Sequence, residues 1–147
     1  MTMLRLFILL VTVISSASLH AYPAHQSHWT HRSILYFAPS EDEYVKQFLL
    51  ETLTNECALK IRDIVTLVMT QDGFTKPRWL QREFDVAKLA KLYQVDKQSH
   101  TAILIGKDGE EKYRWGKVTD WAFINQLIDS MPMRKQEIKE KSNPCSI

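Results

Sequence analysis

Apolar positions along the chain change period several times, and each change marks an element. Residues 33–38 (SILYFA) and 64–69 (IVTLVM) are continuous apolar runs of strand length, rich in β-branched side chains. That is the pattern of strands buried on both faces. Between them Val45, Phe48, Leu49 and Leu53 recur at helical spacing, with Cys57 near the edge of the stripe. Two such strands separated by a helix predict a right-handed βαβ unit with parallel strands. Ser40 and Glu43 form a capping box, in which the hydroxyl accepts from the Glu43 N–H and the carboxylate reaches back to the Ser40 N–H. The helix is therefore expected to start at Glu41.

Residues 71–82 carry no clear period. Asp72-Gly73 signals a turn, Lys76 before Pro77 is disfavoured in a helix, and Trp79 and Leu80 read either as a core plug or as an exposed patch. Asp85 then caps a second helix with Val86, Leu89, Ala90 and Tyr93 on one face. Residues 101–105 form another apolar run, Gly106-Lys107-Asp108-Gly109 turns the chain, and residues 111–115 alternate. In that last strand Tyr113 and Trp115 point one way and Lys112 and Arg114 the other, as expected of a sheet edge. Thr119 or Asp120 caps a final helix with Trp121, Ile124, Leu127 and Ile128 on one face, and Met131-Pro132 ends it. The order β-α-β-α-β-β-α predicts an α/β sandwich of thioredoxin-like type: a mixed four-stranded sheet with helices on both faces.

The front of the chain reads differently. Residues 1–21 have a single charge, Arg5, an apolar core over residues 6–14 and small or polar residues up to Ala21. The core falls short of the ~20 residues needed to span a bilayer and has the form of a secretory signal. Cleavage after Ala21 leaves a c-region of ordinary length; cleavage after Ala17 leaves a short one. Residues 22–32 then read as a flexible, histidine-containing leader, residues 33–131 as the domain, and residues 132–147 as a C-terminal tail. A secreted or periplasmic location follows.

Charge narrows the choice of partner. The whole chain has a formal charge of +2, and loss of Arg5 with the signal leaves +1. Lysine and arginine are interspersed with acids, which argues against nucleic acid as a partner. The nearest approach to a basic patch, Arg134, Lys135, Lys139 and Lys141, is diluted by Glu137 and Glu140 and reads as a solvated, frayed tail.

Three segments carry a family resemblance: Leu35-Tyr36-Phe37-Ala38-Pro39-Ser40, Ile103-Leu104-Ile105-Gly106-Lys107-Asp108-Gly109, and the more specific Leu127-Ile128-Asp129-Ser130-Met131-Pro132-Met133-Arg134-Lys135-Gln136-Glu137. The chain resembles the family called Domain of Unknown Function 4174 over roughly His31 to Glu137. The resemblance implies a thioredoxin-like fold, found in small exported bacterial proteins and as modules of animal extracellular-matrix and sushi-repeat proteins. It brings no catalytic residues.

Thioredoxin-like oxidoreductases place Cys-x-x-Cys where the first strand meets the first helix, because the helix dipole lowers the thiol pKa there. This chain has Pro39, Ser40, Glu41 and Asp42, and Ser99-His100 stands where a cis-proline would face the redox pair. Dithiol–disulfide exchange at that position is excluded. Cys57 and Cys145, 88 positions apart, belong to no motif. An oxidising compartment favours a bridge worth ~4 kcal/mol in the entropy model, while a loose tail would leave a buried thiol at Cys57 and a free or intermolecular one at Cys145. His25, His28 and His31 recur every third residue and could chelate a transition metal, but no Cys, Asp or Glu joins them, so solvated leader histidines are expected. Glu41 with Glu43 and Glu110 with Glu111 sit in a cap and a turn as solvated carboxylates.

No catalytic residue, metal site or cofactor is therefore expected. The expected function is a non-catalytic protein-binding module, with the partner held in a cleft formed by Pro39, Ser40, Glu41, Asp42, Ser99 and His100. His100 is its candidate acid sensor, because imidazole ordinarily titrates near pH 6.5. The alternatives are an enzyme with non-thiol chemistry in that cleft and a metal-handling protein that uses the leader histidines.

Overall fold

The structure is a computed structural model that describes residues 30–142 and Cys145. His25, His28, both candidate cleavage sites and nearly all of the leader lie outside the described residues. The chain runs β1 (Arg32–Ala38), α1 (Glu43–Thr54), α2 (Glu56–Ile61), β2 (Ile64–Thr70), β3 (Thr75–Lys76), α3 (Leu80–Glu83), α4 (Val86–Leu92), β4 (Thr101–Ile105), β5 (Glu111–Trp115), α5 (Trp121–Ser130) and α6 (Pro132–Glu140). The strands form one mixed sheet in the order β3-β2-β1-β4-β5. β1 pairs parallel with β2 and antiparallel with β4, and β5 is an edge strand paired to β4. The turn between β4 and β5 requires Gly109, which sits at φ +80 with its N–H donating to the Gly106 carbonyl.

All seven residues of β1 are buried, so its side chains supply both halves of the core. Ile34, Tyr36 and Ala38, with Val68, Ala102 and Leu104, pack against Val45 and Phe48 of α1, Leu59 of α2, and Trp121, Ile124 and Ile128 of α5. Leu35 and Phe37, with Met69, Ile103 and Ile105, meet Leu80 of α3 and Ala90 of α4 on the opposite face. Each fully buried side chain of this size stabilises the fold by ~1.5–3 kcal/mol.

Several expectations need correction. The sheet has five strands rather than four: after Asp72-Gly73 the chain adds β3, two residues long and too short to show a period. Helix α1 begins at Glu43, not Glu41, and its N-cap is Asp42, whose side chain accepts from the Val45 N–H. Asp42 prevails over Ser40 because residues 39–41 are still turning out of β1. Leu53 is 69% exposed; α1 ends at Thr54, and the next side chain along the chain to enter this core is Leu59 of α2. Cys57 is exposed on α2. Leu80 is the plug and Trp79 the exposed residue, so both readings of that pair hold, one for each residue.

The largest correction lies beyond Met131-Pro132. Pro132 stops α5 and then opens α6, where its missing N–H costs nothing at the first helical position. The segment expected to fray is thus a helix to Glu140, with Arg134 buried. Arg32, placed in the leader by sequence, is a buried residue of β1.

Candidate functional site

β1 and β2 are parallel, so the loops after them lie at one end of the sheet, where α/β proteins commonly bind ligands. Antiparallel β4 begins at that same end. Pro39, Ser40, Glu41 and Asp42, which follow β1, therefore meet Ser99 and His100, which precede β4. The contact is explicit: His100 Nε2 lies 2.8 Å from Asp42 Oδ2, across 58 positions of sequence. Asp42 thus has two tasks, with Oδ1 capping α1 and Oδ2 holding the imidazole.

Three residues not read from sequence complete the cluster. The rings of Tyr44 and Tyr36 meet the His100 imidazole edge-on at centroid distances of 5.4 and 6.2 Å. Lys117, just beyond β5, donates from Nζ to the Tyr44 hydroxyl at 3.2 Å and stands 4.5 Å from that ring's centroid. The Tyr36 hydroxyl donates to the Lys117 carbonyl at 2.8 Å. Burial first, then the charges of Asp42 and Glu51, push the Tyr36 phenol well above its ordinary pKa. It remains a neutral donor. No sequence motif joins positions 36, 44, 100 and 117; only strand order does.

Other details limit what this end can do. The Ser99 N–H is engaged by the Asp96 carbonyl at 3.3 Å, so an extended peptide cannot use that donor. The Glu41 N–H donates to Asp72 Oδ2 at 3.3 Å, which ties the β1–α1 loop to the β2–β3 turn. The cis peptide bond among the described residues is Lys76-Pro77, away from the Ser99-His100 position. Groups of three or more His, Cys, Asp or Glu side chains that could hold a metal are absent among the described residues, and of the leader histidines these include only His31.

The opposite end is an ionic network. Arg32, only 1% exposed, grips Glu137 with both terminal nitrogens, at 3.1 and 3.2 Å. Lys107 contacts both Glu137 Oε1 and Asp63 Oδ2 at 2.7 Å, and Lys141 joins Asp63 at 2.9 Å. Asp129 accepts from Arg62 Nη2 at 2.6 Å and from Arg134 Nε at 3.1 Å. Burial raises the carboxyl pKa of Glu137, Asp63 and Asp129, but the hydrogen bonds and charges of their cationic partners outweigh it and hold all three below the ordinary carboxylate range. No local pattern announces this network, although Lys107, Asp129, Arg134 and Glu137 all lie in the segments that carry the family resemblance. α2 lies at this end as well, because α1 runs back along the sheet, and a Cys57–Cys145 disulfide with a Cα–Cα distance of 5.9 Å joins it to the C-terminal segment.

Comparison with known proteins agrees with this architecture. A Danio rerio protein named Coiled-coil domain-containing protein 80 is 29% identical over 129 residues, which cover 75% of this chain and 15% of that one. The chain therefore spans about a seventh of that relative's length. Among solved structures, the reduced 2-Cys peroxiredoxin of Plasmodium vivax superposes with a TM-score of 0.52 at 17% identity, covering 72% of this chain and 80% of that one. That likeness establishes a thioredoxin-like fold. The sequence profile of the family described as domain of unknown function (DUF4174) matches residues 23–137. With this match over most of its length and a thioredoxin-like sheet, the chain belongs to the DUF4174 family.

Proposed function

We propose that this is an exported, non-catalytic protein-binding module whose recognition surface is the end of the sheet around Pro39, Ser40, Glu41, Asp42, Ser99 and His100. The observation that carries the reading is the His100–Asp42 hydrogen bond, which fixes two segments distant in sequence into one surface without a thiol pair. Glu41, Asp42 and Glu43 surround the start of α1 with negative charge, so an anionic ligand is disfavoured. Export is supported by the form of residues 1–21, and intact-mass measurement of secreted or periplasmic material should place the new N-terminus at Tyr22.

Photocrosslinking from position 41 in the native compartment tests the surface. His100→Ala and Ser40→Tyr should each weaken capture of the partner. Undiminished capture by both variants would assign binding elsewhere.

The same His100–Asp42 pair favours one second reading, an enzyme with non-thiol chemistry in this cleft, since a carboxylate-held imidazole can accept and return a proton. Turnover in a metabolite-pool assay that disappears in His100→Asn would favour the enzyme over the binding module.

A further inference from the structure

The two faces of the sheet are roofed unequally. Twelve-residue α1 and ten-residue α5 cover one face. The other has four-residue α3 and seven-residue α4, which leave a groove of about 700 Å³. That volume falls within the ~300–1,000 Å³ typical of small-molecule sites. The accessible lining is apolar: half-buried Leu67 of the sheet and Leu89 of α4 lie over the buried Leu35, Met69, Ile105 and Leu80. Trp79 and Phe84 stand at the rim, 42% and 46% exposed, with ring centroids 6.4 Å apart.

Glu83 gives this rim a sign. It lies three residues after Leu80 on α3, so the helix that plugs the core with Leu80 turns Glu83 toward the same side. Among the described residues its carboxylate has no ion pair or side-chain hydrogen bond. Arg78 and Arg82 do not line the groove. An apolar trough that ends in two aromatic rings and an unpaired carboxylate complements an apolar chain ending in a cation. Ring faces attract cations by their quadrupole, and a quaternary ammonium gives up little hydration when it leaves water.

We propose that the groove binds a small amphiphile with an apolar chain and a cationic end, the chain lying against Leu67 and Leu89 and the cation among Trp79, Phe84 and Glu83. This site is independent of the cleft at His100, and either can fail without the other.

Isothermal titration of the mature chain, residues 22–147, with three probes of equal chain length tests it: octyltrimethylammonium, 1-octanol and octanoate. The cation should saturate at one site per chain, about tenfold tighter than the alcohol, with octanoate weakest. Glu83→Gln should narrow the gap between cation and octanol severalfold and leave octanol unchanged, the two rings keeping the remainder. Trp79→Ala, also at an exposed position, should weaken both; thermal melts check that the variants fold. Equal binding of all three probes, equal effects of Glu83→Gln on cation and alcohol, or no saturable binding would overturn the proposal. So would binding that appears only after residues 22–29 are removed, which would make that segment the occupant. Saturable binding of a Leu-Lys-Leu peptide without binding of the octyl probes would assign the groove to a protein segment and overturn it equally.

Discussion

The two ends of the sheet handle charge in opposite ways. Around Glu137, five cationic side chains share three carboxylates, and the central arginine, Arg32, is 1% exposed. Around His100 there is one imidazole–carboxylate contact, packed by two tyrosines, with the Asp42 side chain 32% exposed. Charges taken out of water must stay paired, because removal of one partner strands the other in a poorly solvating interior. The network end is thus committed to holding α6 against the sheet. The cleft end places less of the protein's stability in each polar contact, which leaves its side chains available for a partner.

The largest expected effect is at the network. Glu137→Ala strands the buried Arg32 and leaves Lys107 with Asp63 alone, and should cost ~3–5 kcal/mol in urea denaturation, whereas Asp42→Ala removes a helix cap and should cost ~1 kcal/mol. Equal costs would break the contrast between the ends.

Next comes the disulfide. Cys145→Ser should lower stability by ~2–4 kcal/mol. Both this bridge and Glu137 anchor the C-terminal segment, so the double variant should lose less than the two single losses combined. Strict additivity in a double-mutant cycle would show that the two anchors act independently.

Opposite extremes of pH should then attack opposite ends. Glu137, Asp63 and Asp129 are held below their unfolded pKa values, so their pairing stabilises fully above about pH 4 and is lost as pH falls through the folded-state values. Tyr36 is raised instead; its contribution is present below about pH 10 and is lost as pH rises through its folded-state value. A stability–pH profile should therefore keep its acid limb in Tyr36→Phe and lose part of its alkaline limb. A Tyr36→Phe profile that matches wild type above pH 10 would remove the phenol from the account.

The smallest effect is the cost of Tyr36→Phe near neutrality, ~1 kcal/mol for the lost bond to the Lys117 carbonyl. Denaturation midpoints at pH 7 would measure it. No change would mean that water satisfies that carbonyl equally well.

Periodic segments were legible in sequence, and aperiodic ones were not. Strand β1, the β4–β5 hairpin and the caps at Asp85 and Asp120 all follow from local pattern. β3 was too short to have a period, and α3 follows a turn and a proline. Helix α6 was missed because its apolar content is low: it docks through Arg134 and Glu137, charges that read as solvated until their partners are known. Residues 39–42 and 99–100 meet because strand order alone brings them together, but Tyr36, Tyr44 and Lys117 carry no local signal for joining them.

By itself the sequence determined the continuous apolar run that buries β1 on both faces, the order of the main elements, the family, and the absence of a thiol pair after the first strand. These depend on neighbours within a few positions, where backbone period and side-chain chemistry are coupled. Only the tertiary structure decided which charges are buried and paired, which aspartate caps α1, and how much of each sheet face its helices cover. Coulomb and hydrogen-bond energies depend on distance in space, and Arg32 meets Glu137 across 105 positions that no local pattern relates.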